Sequence, residues 1–332
     1  MNLLDMVMSR SDRLVAPLAG YPGVRLAGRS VREALHDATV QLEALKSLEE
    51  RLRPDIVFPL LDLTVEAESM GLGVNFHDKL PPSLAQQKLP MLDRFYALGL
   101  PDPEKAGRMP VFLEVAEGLS ARGGRMSGAY VTGPLTLLAQ LLGTGELLDR
   151  VKLGDTLSEP LAFTTSIVGE YAAALAARTD IVVVVDPAAE ALEAEEYESL
   201  YRPYMGGLVG IIRSSGAICL LHVCGDVSHL LEEMSLTGAE GICLDSRVNI
   251  QREIERILSS VVVLGNIDPK RIMQRGTPED VRWEVRRLLR NTSKARNFVL
   301  STGCDVPVDT PVRNLEAMME EARAWKPRGG MS

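Results

Sequence analysis

DIVVVVDP, residues 180–187, is a short β-branched run that stops at an Asp-Pro pair, and seven more short apolar runs are spread along the chain. They are LVAPLAG (14–20), DIVFPLLD (55–62), RMSGAYVTG (125–133), AICLLHVCG (217–225), GICLDS (241–246), VVVLGNID (261–268) and FVLSTGCD (298–305). Longer helical patterns fill the gaps, so the chain reads as repeated β-α units around a parallel sheet. In one of these, SVREALHDATVQLEALKSLEERL, Ser30 stands three residues before Glu33, the spacing of a capping box that starts a helix. Eight strands with helical crossovers favour a closed (β/α)8 barrel over an open doubly wound sheet, and no G-x-G-x-x-G follows the first run. The expectation is an α/β fold, a single TIM-barrel domain over residues 1–332, with a long irregular insertion at about 77–110. Because that insertion follows the second strand, it belongs to the face where loops form lids and substrate walls, or simply cover exposed core.

Apolar residues at 46% and charged residues at 24% are the balance of a globular chain with a sizeable core, not of a disordered one. The formal net charge of −9 argues against a protein that coats nucleic acid, which needs a clustered positive surface. The one basic cluster, Arg286, Arg287, Arg290, Lys294 and Arg296, reads as the solvated face of a helix, with docking of an acidic partner as the other reading. The N-terminal stretch MNLLDMVMSRSDRLVAP lacks a signal-peptide core, and no uncharged apolar stretch reaches the roughly 18 residues of a membrane span. A cytoplasmic protein is expected. In a reducing compartment Cys219, Cys224, Cys243 and Cys304 are core fillers, metal ligands or reactive thiols rather than a disulfide framework.

The organising feature is where polar residues fall. Run after run ends in a group able to do chemistry: Asp62, Thr132, Asp186, His222 with Cys224, Asp245, Asn266 with Asp268, and Cys304 with Asp305. In a barrel these ends share one face. Any single Asp there can be a helix N-cap. His222 and Cys224 are harder to explain that way, since residues i and i+2 of a strand project to the same side. Barrel closure can bring Cys304 to the same mouth, and two thiolates with one imidazole make a three-ligand zinc site that keeps a fourth position open. The competing reading is a buried structural cysteine beside a hydrogen-bonded core histidine. Cys219 and Cys243 sit inside apolar runs and read as core; His36, His77 and His229 have no ligand-like neighbours. Asp62, Glu66, Asp186 and Asp245 are the candidate catalytic carboxylates, with Glu66 or Asp186 as a possible further metal ligand. Glu66 and Glu68 can equally be the acidic start of a helix. Asn266 and Asp268 are the candidate cofactor-binding pair.

The ordered segments DLTVEAESMG, YVTGPLTL, DIVVVVDPAAE, LLHVCGD, GICLDSRVNI, LGNIDP and LSTGCDVPVDTPVRNLEAMMEEAR resemble the uroporphyrinogen decarboxylase superfamily over nearly the whole chain. Within it the likeness is to the zinc-dependent, corrinoid-linked methyltransferases. The resemblance implies a (β/α)8 barrel and zinc held by the His and Cys of an H-x-C-G motif and the Cys of a late G-C motif. Those positions are His222, Cys224 and Cys304. It further implies a methylated corrinoid as co-substrate, free or on a partner corrinoid protein, and a small-molecule thiol such as coenzyme M as acceptor. Removal of a methyl group from a small methyl donor is the alternative, and a non-catalytic zinc-stabilised barrel subunit a second. The decarboxylases carry an arginine-rich N-terminal segment; the corresponding APLAGYPGVRLAGRS has Arg25 and Arg29 but not that pattern. Ala188-Ala189-Glu190 stands where many relatives have a small Ser or Gly after the Asp-Pro.

Overall fold

The computed structural model describes residues 2–85, 99–154 and 157–326. Its strands are β1 (Ile56–Val57), the pair β2 (Val74–Asn75) and β3 (Ser83–Leu84), β4 (Met126–Thr132), β5 (Ile181–Val185), β6 (Ile218–Val223), β7 (Gly241–Leu244), β8 (Val262–Ile267) and β9 (Phe298–Thr302). Seven of them form one sheet in the order β1-β4-β5-β6-β7-β8-β9, every neighbour parallel. The first apolar run closes it. Val15 bridges Leu300 in parallel, with Ala16 N–H donating to Leu300 O and Leu300 N–H to Leu14 O, each at 2.9 Å. On its other edge Val15 O accepts from Asp55 N–H at 2.9 Å. Pro17 follows and has no N–H to give, which keeps this eighth stave short. All eight runs thus become staves of the expected (β/α)8 barrel.

The staves are apolar on both sides because both sides are buried. Inward-facing Ile181, Val183, Val185, Leu220, Cys243, Leu264 and Val299 fill the barrel, and Leu3 and Val7 of the helix Leu3–Ser9 plug the end where the strands begin. Outward-facing Ala129, Val131, Val182, Val184, Cys219, Leu221, Ile242 and Val263 pack under the helical layer. Among the described residues no helix is long and apolar enough to cross a membrane.

Two expectations are refined. The capping box at Ser30 and Glu33 is present, but the helical segment it opens is two helices, Val31–His36 and Ala38–Leu52. Asp37 leaves the helical conformation and its carboxylate takes the amides of Thr39 and Val40, restarting the helix one residue on. The expected insertion at 77–110 is not irregular throughout. β3 pairs antiparallel with β2, the helix Met109–Arg122 begins before the stretch ends, and 86–98 lie outside the described residues. Two of the five residues of the basic cluster near 286–296 are ion-paired: Arg286 with Glu321 at 2.8 Å and Arg287 with Glu284 at 2.5 Å.

Candidate metal centre

β6 sets the geometry of the site. Leu220 and His222 point into the barrel, and Cys224, the next residue of that parity, follows just past the strand end. His222 is 1% exposed, and its Nδ1 lies 2.9 Å from the carbonyl oxygen of Cys243 on the neighbouring strand. A carbonyl only accepts, so Nδ1 carries the proton and Nε2 presents a lone pair. That nitrogen is 3.4 Å from Cys224 Sγ, and Cys224 Sγ is 3.9 Å from Cys304 Sγ beyond β9. The three ligand atoms lie within 4.8 Å of one another, and among the described residues no other such group of His, Cys, Asp or Glu occurs. Around a tetrahedral zinc, with Zn–S of about 2.3 Å and Zn–N of about 2.0 Å, sulfur–sulfur and sulfur–nitrogen edges come to about 3.8 and 3.5 Å. The donor set fits that ion in kind and spacing.

Two glycines let the loops close on the site. Gly303 packs so tightly against the next loop that a Cβ would stand 2.3 Å from Ser246 N. Gly225 has φ +118°, and a Cβ there would stand 2.0 Å from Glu190 Oε1. The hydrogen bond with Cys304 holds the Cys224 thiol below its ordinary pKa, whereas the same bond, with burial, pushes Cys304 up. Holding both sulfurs as thiolates this close together calls for a cation to compensate their charge.

The carboxylates surround this centre without joining it. Asp245 Oδ2 accepts from Gly225 N–H at 3.1 Å and Oδ1 from Arg247 N–H at 2.9 Å, tying the H-x-C-G turn to the loop after β7. Arg247 also reaches Glu190 at 3.5 Å, and Glu190 accepts from Asp226 N–H at 3.2 Å. Asn266 spends its amide on the carbonyls of Asp245 and Val248, at 2.9 and 2.8 Å. Asp268 caps the turn Pro269–Gln274, and Asp186 receives the amides of Leu135 and Thr136 and the hydroxyls of Thr136 and Tyr201. Glu66 and Asp186, considered above as further ligands, stay outside the three-atom group. Glu66 accepts from the amide and hydroxyl of Thr132 at 2.7 and 2.6 Å. Asp62 pairs with the buried guanidinium of Arg108, which also donates to Glu68 at 2.8 Å and lies 4.7 Å over the Phe76 ring. Neither the helix-start reading nor the metal-ligand reading of this acidic segment anticipated Arg108, which follows the segment 86–98 and carries no local motif. His36 and His229 bond backbone carbonyls of Arg32 and Leu192, as structural histidines do.

Residues 18–325 match the uroporphyrinogen decarboxylase family. The chain belongs to that family. Among curated members it is 29% identical over 278 residues to "Methylcobamide:CoM methyltransferase MtbA" of Methanosarcina acetivorans, covering 80% of this chain and 78% of that protein. It is 25% identical over 289 residues to the "Uroporphyrinogen decarboxylase" of Methylococcus capsulatus, covering 84% and 81%. A solved structure described as "methyltransferase from Methanosarcina mazei" superposes with a TM-score of 0.86 over 97% of this chain and 98% of that one at 20% identity, which establishes the shared barrel fold. The relatives thus span two chemistries. Arg25 and Arg29 are both exposed, Arg25 donating to Asp309 O at 3.2 Å and Arg29 pairing with Glu43 at 3.3 Å.

Proposed function

We propose that this chain is a zinc-dependent methyltransferase that moves a methyl group from a methyl-Co(III) corrinoid, free or on a partner corrinoid protein, to a small thiol such as coenzyme M. The observation that carries the reading is the convergence of His222 Nε2, Cys224 Sγ and Cys304 Sγ within 4.8 Å. Three protein ligands leave a position for substrate, the pattern of a catalytic zinc rather than a closed structural one. The relatives named methylcobamide:CoM methyltransferases support the direction of transfer and both substrates. A cytoplasmic location suits thiols that must stay reduced.

When bound there, zinc supplies a site at which a thiol ionises near neutral pH and its sulfur stays nucleophilic. Cys224 and Cys304 contribute two negative charges that match the ion's own. The Cys243 carbonyl holds His222 in one tautomer, and Asp245 holds the turn that carries Cys224, so the donors are oriented beforehand. In the transfer the deprotonated sulfur forms a bond to the methyl carbon. The cobalt–carbon bond breaks with its electron pair left on cobalt, which passes from Co(III) to Co(I), and the thiol proton goes to solvent. The test is incubation of zinc-loaded protein with methylcobalamin and a panel of thiols, following the colour change of cobalt demethylation. A folded, zinc-loaded protein inert toward every thiol would refute the reading, and inertness toward methyl donors as well would favour a non-catalytic barrel.

A further inference from the structure

The four cysteines divide into two kinds by position. Cys219 on β6 and Cys243 on β7 are 0% and 2% exposed; the first faces outward under the helices and the second inward, so their sulfurs stand on opposite sides of the sheet. Cys224 and Cys304 lie half-buried in the loops just past β6 and β9, where the barrel opens to solvent. Their sulfurs are 3.9 Å apart. A disulfide holds its sulfurs about 2.05 Å apart, so this pair must close by about 1.9 Å, a displacement that side-chain rotation on two loops can share.

Hydrogen peroxide is the oxidant this pair would meet. The proposed transfer leaves Co(I) at the same mouth, and two electrons passed from Co(I) to dioxygen, with two protons, give peroxide and Co(III). A thiolate sulfur attacks one peroxide oxygen, the O–O bond breaks, and the other oxygen leaves as water once protonated, so the sulfur becomes a sulfenic acid. The second sulfur attacks the first, a sulfur–sulfur bond forms, and the sulfenic oxygen leaves as a second water. Two electrons have then passed from the sulfurs to the peroxide, and the neighbouring thiol has intervened before more peroxide can produce an irreversible sulfinic acid. Thiolate, not disulfide, is the metal ligand, so the oxidised pair leaves His222 alone to hold the ion. Resting on the zinc reading of this centre, we propose that Cys224 and Cys304 are also a peroxide-sensitive switch, whose oxidation to a disulfide expels zinc and whose reduction by a dithiol restores the site.

The experiment treats zinc-loaded wild type and the double variant Cys219→Ala, Cys243→Ala with stepwise hydrogen peroxide. Zinc release to a coloured chelator, intact mass, free thiols in the denatured chain and a peptide map are followed together. Both proteins should release about one zinc per chain in step with a loss of about 2 Da and of two free thiols. The map should join Cys224 to Cys304, and dithiothreitol with added zinc should reverse every change. Cys304→Ser, which cannot form the bond, should instead gain oxygen at Cys224 in steps of about 16 Da. Oxygen gained by zinc-loaded wild type without a disulfide overturns the inference alone. So does a disulfide that takes Cys219 or Cys243, or zinc retained after the pair is oxidised. Wild type that takes up no zinc overturns the zinc reading and the switch together.

Discussion

Glu66 converts the burial of one carboxylate into a measurable pH dependence of stability. The residue is 1% exposed, and burial, opposed by the two bonds from Thr132, pushes its pKa from 4.5 up to about 7. That difference between folded and unfolded chain corresponds to about 3.5 kcal/mol. The folded pKa lies above the unfolded one, so the folded state favours the protonated acid. Its contribution is fully present below pH 4.5, is lost as the pH rises toward 7, and changes little beyond that. Glu66→Gln keeps the shape and removes the ionisation. The stability of the variant relative to wild type should therefore rise by about 2 to 3 kcal/mol between pH 5 and pH 8. Urea denaturation of both proteins at a series of pH values, at matched zinc content, reads this difference directly, since every other titrating group is shared. Parallel pH profiles, or a variant that falls behind as the pH rises, would refute the assignment of a buried acid that resists ionisation.

Cys304→Ala should lose bound zinc and thiol-dependent methyl transfer together, whereas Cys219→Ala and Cys243→Ala should keep both at a cost on the order of 1 kcal/mol. Zinc per chain, activity and thermal midpoint decide the matter; full zinc in Cys304→Ala would end the three-ligand assignment. Arg108→Ala leaves Asp62, whose side chain is 0% exposed, and Glu68 without their cation, and should cost about 3 to 5 kcal/mol in chemical denaturation. Arg108→Lys should recover only part of this, since one ammonium cannot reproduce the fork that reaches Asp62, Glu68 and Thr64. We propose that the chain is a single domain over 1–332, so limited proteolysis should cut first within 77–110. A stable fragment boundary near the middle of the chain would contradict it.

The eight staves were legible in the sequence because a strand buried on both sides must be a short, continuous apolar run, and because such runs separated by helical patterns leave few topologies. The pairing of His222 with Cys224 was legible for the same local reason, the twofold alternation of a strand. The split at Asp37 was missed because a capping aspartate and an ordinary helical one look alike until the backbone turns away. What only the tertiary structure decided was how residues far apart in the chain meet. Closure of the barrel brings Cys304 to within 3.9 Å of Cys224, eighty positions earlier. Arg108 is drawn between Asp62 and Glu68, and the carboxylates around the site are turned to different tasks: Asp245 to the Cys224 turn, Asp186 to a helix start, Glu66 to Thr132. The periodicity of a strand records which side a residue faces but not which residue of another strand stands opposite it. That depends on register and barrel closure, which arise from packing of the whole chain.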